Sequence, residues 1–313
     1  PFFFPADPAP AAEVADGGVR ELYGEAQETY GEVQETYGSD PAGQPGSSQQ
    51  GLEMSIAGEE AGVTDLMRTR WEPVSEEPKY GLLPLIMGSF KVSLIAVLLA
   101  APLAIFAALY TSTIAPRWAK EIMKPTIEIL AGFPSIVIGF FALITLATFF
   151  QDMFGFEYRL NAFIGGTALA LAVLPIIYTL TEDALSTVPK SFTEASLALG
   201  ASRWQTALFV VLPAATPGVY ASVILGIGRA FGETMIVLMA TGNAALLSPD
   251  LFVPVRTMSA TIGAEMAEVV FGDTHYNILF LIGALLFVFT FSLNAFAEFV
   301  VRKQLMKKFG GGQ

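Results

Sequence analysis

Three observations predict an all-α integral membrane fold with five spans. Of the 313 residues, 53% are apolar and only 15% are charged, whereas ordinary soluble domains carry about 25% charged residues. From Gly81 onward, five runs hold no charged side chain: Val92 to Pro116, Ile129 to Gln151, Leu160 to Thr181, Trp204 to Gly228 and Thr274 to Ala297. Each is 22 to 25 residues long, and about 20 apolar residues in a helix cross a hydrocarbon core.

The acidity is confined to the start of the chain. The formal net charge is −12, and residues 1–80 carry 16 acidic against 4 basic side chains, so the rest is neutral with 13 of each sign. This arm is rich in Pro, Ala, Gly, Glu and Gln, and repeats Glu25-Ala-Gln-Glu-Thr-Tyr-Gly31 as Glu32-Val-Gln-Glu-Thr-Tyr-Gly38. A coiled coil needs an apolar a and d seam, which the repeat lacks, and glycine at every seventh position disfavours helix. Residues 1–80 therefore read as a mostly disordered acidic arm, with Asp40 to Gly51 as a flexible linker. The chain starts at Pro1 without the basic start and apolar stretch of a signal peptide, which reads as a fragment or processed product. The run Phe2, Phe3, Phe4 fits the tail of an upstream span.

The body, residues 81–305, places its spans at about 88–112, 130–150, 160–181, 216–241 and 275–298, with a short tail at 306–313. Lys91 stands ahead of a run long enough to span by itself, so it is expected to snorkel to the near interface. Span four is expected to start only near Thr216, because Leu212-Pro213 and Pro217-Gly218 interrupt the first part of its run. His275, at the start of span five, reads as an interfacial residue. Basic residues crowd three connections: Arg117, Lys120 and Lys124 after span one, Lys190 and Arg203 after span three, and Arg302, Lys303, Lys307 and Lys308 after span five. By the positive-inside rule these sides are cytoplasmic, which puts the arm outside and the C-terminus inside.

Several chemistries are excluded. With no cysteine and one histidine, the chain offers no thiol nucleophile, Cys-based metal site or His-based catalytic pair. No basic stripe suits nucleic acid. There is no Walker A pattern, and the glycines 226, 228 and 232 lack the strand–turn–helix setting of a nucleotide loop. Gly228 and Gly232, four apart, are expected to let helices pack closely in lipid. An intramembrane hydrolase finds no paired aspartates or His and Cys partners in the spans.

The connection between spans three and four, about residues 185–213, carries the sharpest signal. It reads Ser191-Phe-Thr-Glu194-Ala195-Ser-Leu-Ala-Leu-Gly200, followed nine residues later by Val210 and then Leu212-Pro213. Ser191 and Glu194 have the spacing of a capping box, and Gly200 can take the left-handed conformation that ends a helix. A short helix, a turn and a second helix follow, a rigid knob suited to a partner. This loop resembles the EAA motif of ABC importer permeases, with Glu194, Ala195, Gly200, Leu212 and Pro213 in register and Ser196 and Val210 as mild departures. A second stretch, Gly228-Arg229-Ala-Phe-Gly-Glu233-Thr, resembles the signature of phosphate importer permeases, and Met235 with Gly242-Asn243 resembles their PstC-type branch. Ile129-Leu-Ala-Gly-Phe-Pro-Ser135 is similar to a third family segment.

The resemblance implies a MetI-like type I ABC importer transmembrane domain in a bacterial cytoplasmic membrane, with Glu194, Ala195 and Gly200 coupling to an ATP-binding subunit dimer. It implies no cofactor in this chain, ATP and Mg being held by the partner ATPase. It also implies a second related permease subunit, an extracytoplasmic phosphate-binding protein and phosphate as cargo, with sulfate or molybdate as alternatives. A membrane-anchored scaffold using the acidic arm is a further alternative. Independently of the family, Arg229 lies about 20 Å along a helix entering near Thr216, close to the bilayer middle. An unpaired Arg there costs about 3 kcal/mol or more, so Glu233, four residues on, is expected to pair with it. The pair can serve the translocation pathway, the guanidinium offering forked donors to an anion, or can simply fix span four to its neighbours.

Overall fold

The computed structural model describes residue 66, residues 68–75 and residues 77–309, with side chains as far as Phe299. The chain divides into two units, Pro1–Glu59 and Glu60–Gln313, and the description concerns the second. The heptapeptide repeat and the linker of the arm lie outside the described residues.

A backbone in hydrocarbon has no water to bond to, so the apolar runs close their hydrogen bonds within helices. Among the described residues, five helical segments are long and apolar enough to cross a membrane: Leu83–Ile114, Ser135–Phe154, Ala162–Ser186, Arg203–Gly232 and Thr274–Phe299. In element terms, span one is α1 (Leu83–Leu109) ending in a π-turn at Tyr110–Ile114. Helix α2 (Arg117–Ala131) follows, and span two is α3 (Ser135–Phe141), a π-turn at Ala142–Leu146 and α4 (Ala147–Phe154). Span three is α5 (Ala162–Ser186) and α6 is Lys190–Ala198. Span four joins α7 (Arg203–Thr206), a π-turn at Ala207–Val211 and α8 (Leu212–Gly232). After α9 (Met235–Ala240) and α10 (Met258–Glu265), α11 (Thr274–Phe309) forms span five and continues as helix into the segment assigned to the tail.

Span four differs from its expected bounds at both ends. It starts at Arg203 rather than Thr216, and stops at Gly232 rather than Thr241. Pro213 and Pro217 do not interrupt it. The π-turn at Ala207–Val211 immediately precedes Pro213, and a wider turn of this kind absorbs the carbonyls a proline cannot bond within one continuous helix.

Packing between spans relies on small side chains, because lipid tails are as apolar as leucine and supply no hydrophobic drive for helix association. Span one presents Val92, Ala96, Ala100, Ala104 and Ala108, all buried and four residues apart. Span three meets it at Gly166, where a Cβ would come within 2.6 Å of Ile95. The expected Gly228 and Gly232 seam is only half realised. Gly226 packs on Ile177 and Gly228 on Asn294, while nothing lies within 4 Å of a Cβ at Gly232.

At the end of the bundle opposite α6, the boundary of the arm moves. Strands β1 (Trp71–Glu72) and β2 (Lys79–Tyr80) pair antiparallel, Trp71 opposite Tyr80, so the last residues assigned to a disordered arm form a hairpin. Trp71, Tyr80, Leu82 and Leu85 pack with Met258, Ile278, Leu279 and Ile282. Glu265 ties this cap together. Its carboxylate accepts from Trp71 Nε1 (3.2 Å) and from Arg256 Nη1, and lies 2.9 Å from His275 Nε2. Arg256 Nε in turn donates to Asn243 Oδ1 at 3.0 Å. His275 is thus enclosed, with 12% of its side chain exposed, instead of interfacial. Lys91 likewise does not snorkel. It is buried and donates to the carbonyls of Ser248 and Asp250, at 2.5 and 2.7 Å.

Glu265→Ala removes the common acceptor and leaves Arg256 without its counter-charge. Breaking such an enclosed pair costs about 3–5 kcal/mol, read as a lower Tm of the detergent-purified protein. By contrast Glu72→Ala, which removes an exposed partner 3.9 Å from Lys79, should change stability by less than about 1 kcal/mol.

Candidate functional site: a break between two spans and an elbow beneath them

Arg229 sits in the last turn of α8 and Glu233 is the first residue past its end, with extended backbone (ψ 131°). The two pair nonetheless, Nη1 to Oε2 at 3.1 Å. The Glu233 side chain is 4% exposed and that of Arg229 48% exposed. Ser259 Oγ donates to the Glu233 carbonyl at 2.6 Å, satisfying an acceptor that the helix end releases. The chain then turns through Thr234 into α9. The expectation of a shared helix face is corrected here: the pair spans a helix end instead of lying along an unbroken span.

A second break meets the first. Helix α2 stops at Ala131, Gly132 to Pro134 are non-helical, and span two begins at Ser135. A cavity of about 70 Å³ lies between the breaks, walled by Leu130, Ser135 and Ile138 on one side, Ala172 and Ile176 of span three, and Arg229. Ala172 and Ile176 are ten and fourteen residues from the start of span three at Ala162, about 15 and 21 Å along a helix about 37 Å long. The Arg229 cavity therefore lies near mid-depth. Irregular backbone at that depth is tolerated only where protein or a water-filled cavity covers it, and paired broken helices are a recurrent way of building a midplane site.

The elbow lies at the other end of span four. Helix α6 starts at Lys190 with Pro189 as its N-cap and no side-chain cap. The expected capping box at Ser191 and Glu194 is not formed, because the helix begins ahead of Ser191 and places it inside the first turn. The box occurs instead at α7, where Ser202 Oγ accepts from Gln205 N and Gln205 Oε1 from Ser202 N (2.8 Å). Gly200 ends α6 as expected, at φ +85°. Ala201 N donates to the Ser196 carbonyl and Gly200 N to that of Leu197, the paired bonds of a Schellman ending. Ser196, a departure from the motif, places its hydroxyl 3.0 Å from that of Thr206 and so links the two helices.

No residue of α6 is buried. Leu199 is 89% exposed, and Phe192, Leu197 and Trp204 are exposed as well; large apolar side chains left uncovered in one short segment are of the sort that marks a protein contact. Glu194 and Ala195 are exposed. Glu194 lines an open groove of about 410 Å³ together with Ser112, Lys120, Glu182, Lys190 and Val211. Behind the groove Lys124 Nζ bonds Glu182 Oε1 at 2.9 Å. That hydrogen bond holds the Lys124 ammonium above the usual lysine range, against a smaller desolvation effect.

The pattern described as binding-protein-dependent transport system inner membrane component matches residues 82–305. The chain belongs to this family.

Individual relatives of this inner membrane component are similar over most of their length. The probable ABC transporter permease protein YqgH of Bacillus subtilis (strain 168) is 37% identical over 242 residues, 77% of this chain and 78% of that protein. The phosphate transport system permease protein PstC of Mesorhizobium japonicum is 35% identical over 261 residues, 77% and 79% of the two chains. Among solved structures, an inward facing conformation of the MetNI methionine ABC transporter superposes with a TM-score of 0.51 at 18% identity, covering 71% of this chain and 94% of that one. A bacterial ABC transporter involved in the import of alginate superposes at 0.55 and 12%, covering 93% and 99%. At these identities the likeness is one of fold alone, and the MetI-like permease fold expected from the sequence is the fold observed.

The structure thus brings Arg229 and Glu233 together and separates them from Glu194, Ala195 and Gly200 by the full length of span four. Sequence reasoning missed Ser135 as a wall of the Arg229 cavity and the Arg256, Glu265 and His275 cluster. The available signal was charge balance: a neutral body with few charges leaves each basic residue in need of a partner.

Gly200→Ala is expected to cost about 1 kcal/mol, although nothing lies within 4 Å of the added Cβ. The left-handed backbone is the cause, and thermal denaturation of the purified chain measures it.

Proposed function

We propose that this inner membrane component is the permease subunit of an ATP-driven importer that moves inorganic phosphate inward across a bacterial cytoplasmic membrane. The observation that carries the reading is Arg229 on the wall of a mid-depth cavity, its pair with Glu233 half open, in a chain about a third identical to named phosphate permeases. Arg229 offers a planar fork of donors matched to a tetrahedral oxyanion. Glu233 neutralises it while the cavity is empty and holds its orientation when an anion arrives. The guanidinium is a permanent cation and so supplies the counter-charge for the anion.

The remaining parts divide the work. An ATP-binding subunit dimer grips the elbow at Glu194, Ala195 and Gly200, where the exposed Leu199 and Trp204 give it an apolar seat. ATP and its Mg stay on that partner. A second related permease covers the open side of Arg229, and a phosphate-binding protein loads the cavity from the hairpin end, which faces outward with the elbow and C-terminus in the cytoplasm. Alternating access then follows as rocking of spans about the two breaks.

Arg229→Gln keeps a polar, hydrogen-bonding side chain, though a shorter one, and removes the charge. In vesicles holding the complete transporter, it is expected to lower phosphate uptake at least 100-fold, equivalent to about 3 kcal/mol for a charged hydrogen-bonding group, at unchanged membrane abundance. Normal uptake at normal abundance would remove Arg229 from the pathway.

A further inference from the structure

We propose that Ser135 is a second contact for the transported oxyanion, a neutral donor that completes the Arg229 site from the opposite break. The inference rests on the function proposed above and adds a residue to it.

The cavity wall carries only two side chains able to hydrogen-bond, Ser135 and Arg229; the other lining side chains are Leu, Ala, Phe and Ile. The two come from different spans, and both are donors. No carboxylate lines the cavity, since Glu233 stands behind the guanidinium. Such a lining carries a permanent positive charge and no negative one, and so favours an anion over a cation. Its volume of about 70 Å³ is several times the roughly 10–15 Å³ that admits one water.

The Ser135 hydroxyl lacks the own-helix acceptor that satisfies several other hydroxyls of the spans. Thr148, Thr167, Thr179 and Thr216 each donate to the carbonyl four residues earlier in their own helix, which is how a buried hydroxyl in lipid is normally satisfied. Ser135 is the first residue of α3, and the residue four before it, Ala131, belongs to α2 beyond the break. Its hydroxyl makes no hydrogen bond among the described residues, although the side chain is half-buried. A half-buried hydroxyl facing a cavity that also holds a guanidinium is placed to donate to an anion oxygen that Arg229 leaves free.

The test uses the complete transporter with its binding protein in phospholipid vesicles. Ser135→Ala is expected to lower the rate of phosphate uptake at saturating phosphate about tenfold, at wild-type abundance, while Ser135→Thr, which keeps the hydroxyl, retains uptake. Because the chain has no cysteine, Ser135→Cys gives a single thiol in this chain. Inorganic phosphate should protect that thiol from a small methanethiosulfonate reagent, followed on the band of this chain. Wild-type uptake by Ser135→Ala, or labelling that is the same with and without phosphate, overturns the assignment; if Ser135→Ala does not reach the membrane, the thiol labelling decides. An inactive Arg229→Gln beside an unprotected thiol sinks Ser135 alone, whereas an active Arg229→Gln sinks the phosphate-site reading itself.

Discussion

A guanidinium near the middle of a bilayer must be neutralised, and the backbone around it must still close its hydrogen bonds. At Arg229 these demands are met together. The helix ends one turn past the arginine, which frees Glu233 to leave the helical path and fold its carboxylate back onto Nη1. The carbonyl released at that end is taken by Ser259. The break between α2 and span two, Gly132 to Pro134, meets the same cavity, which Leu130, Phe133 and Ser135 wall opposite Arg229. Once the charge is fixed there, the positions of both breaks follow from it.

The same constraint explains how the distant ends of the molecule are mechanically joined. Span four runs without interruption from Arg203 to Gly232, 30 residues or about 45 Å. Its first turn is pinned to α6 through Thr206 and Ser196, and its last turn carries Arg229. The elbow and the arginine are therefore the two ends of one continuous helical segment, which contains the Ala207–Val211 π-turn. No side-chain relay across the bundle is needed to link them.

Much of this was legible in the sequence, for a physical reason. The absence of charge over 22 or more residues is a strong constraint, so five spans could be read and five are found. The positive φ at Gly200 was readable because only glycine takes that conformation cheaply. Other features depended on competition between local signals. Ser191 and Glu194 have capping-box spacing, but Pro189 starts the helix earlier, and the box falls to Ser202 and Gln205. Pro213 and Pro217 carry the usual sign of interruption, yet both lie within one continuous helix, Pro213 two residues past a π-turn. Nothing local announced the hairpin at Trp71 and Tyr80, because two-residue strands have no periodicity. They are fixed by what they cover, Glu265 and His275, about 200 residues away along the chain.

Two Arg–Glu pairs in one bundle show how geometry separates a fastening from a site. Arg256 and Glu265 are both largely enclosed, with 16% and 13% of their side chains exposed. Around them Asn243 accepts from Arg256 Nε, and Trp71 and His275 bond the Glu265 carboxylate. Such a closed network gains nothing from a ligand, and opening it would strand buried charge. At Arg229 the carboxylate is buried but half of the guanidinium is not, and its open side lines a cavity whose other polar side chain is Ser135. Donors left over in a medium of low dielectric favour an anion, and on the proposed function the ion pair keeps the empty site from becoming costly. The chemistry of the two pairs is identical. What distinguishes the second is that about half of its guanidinium side chain is exposed and lines a cavity.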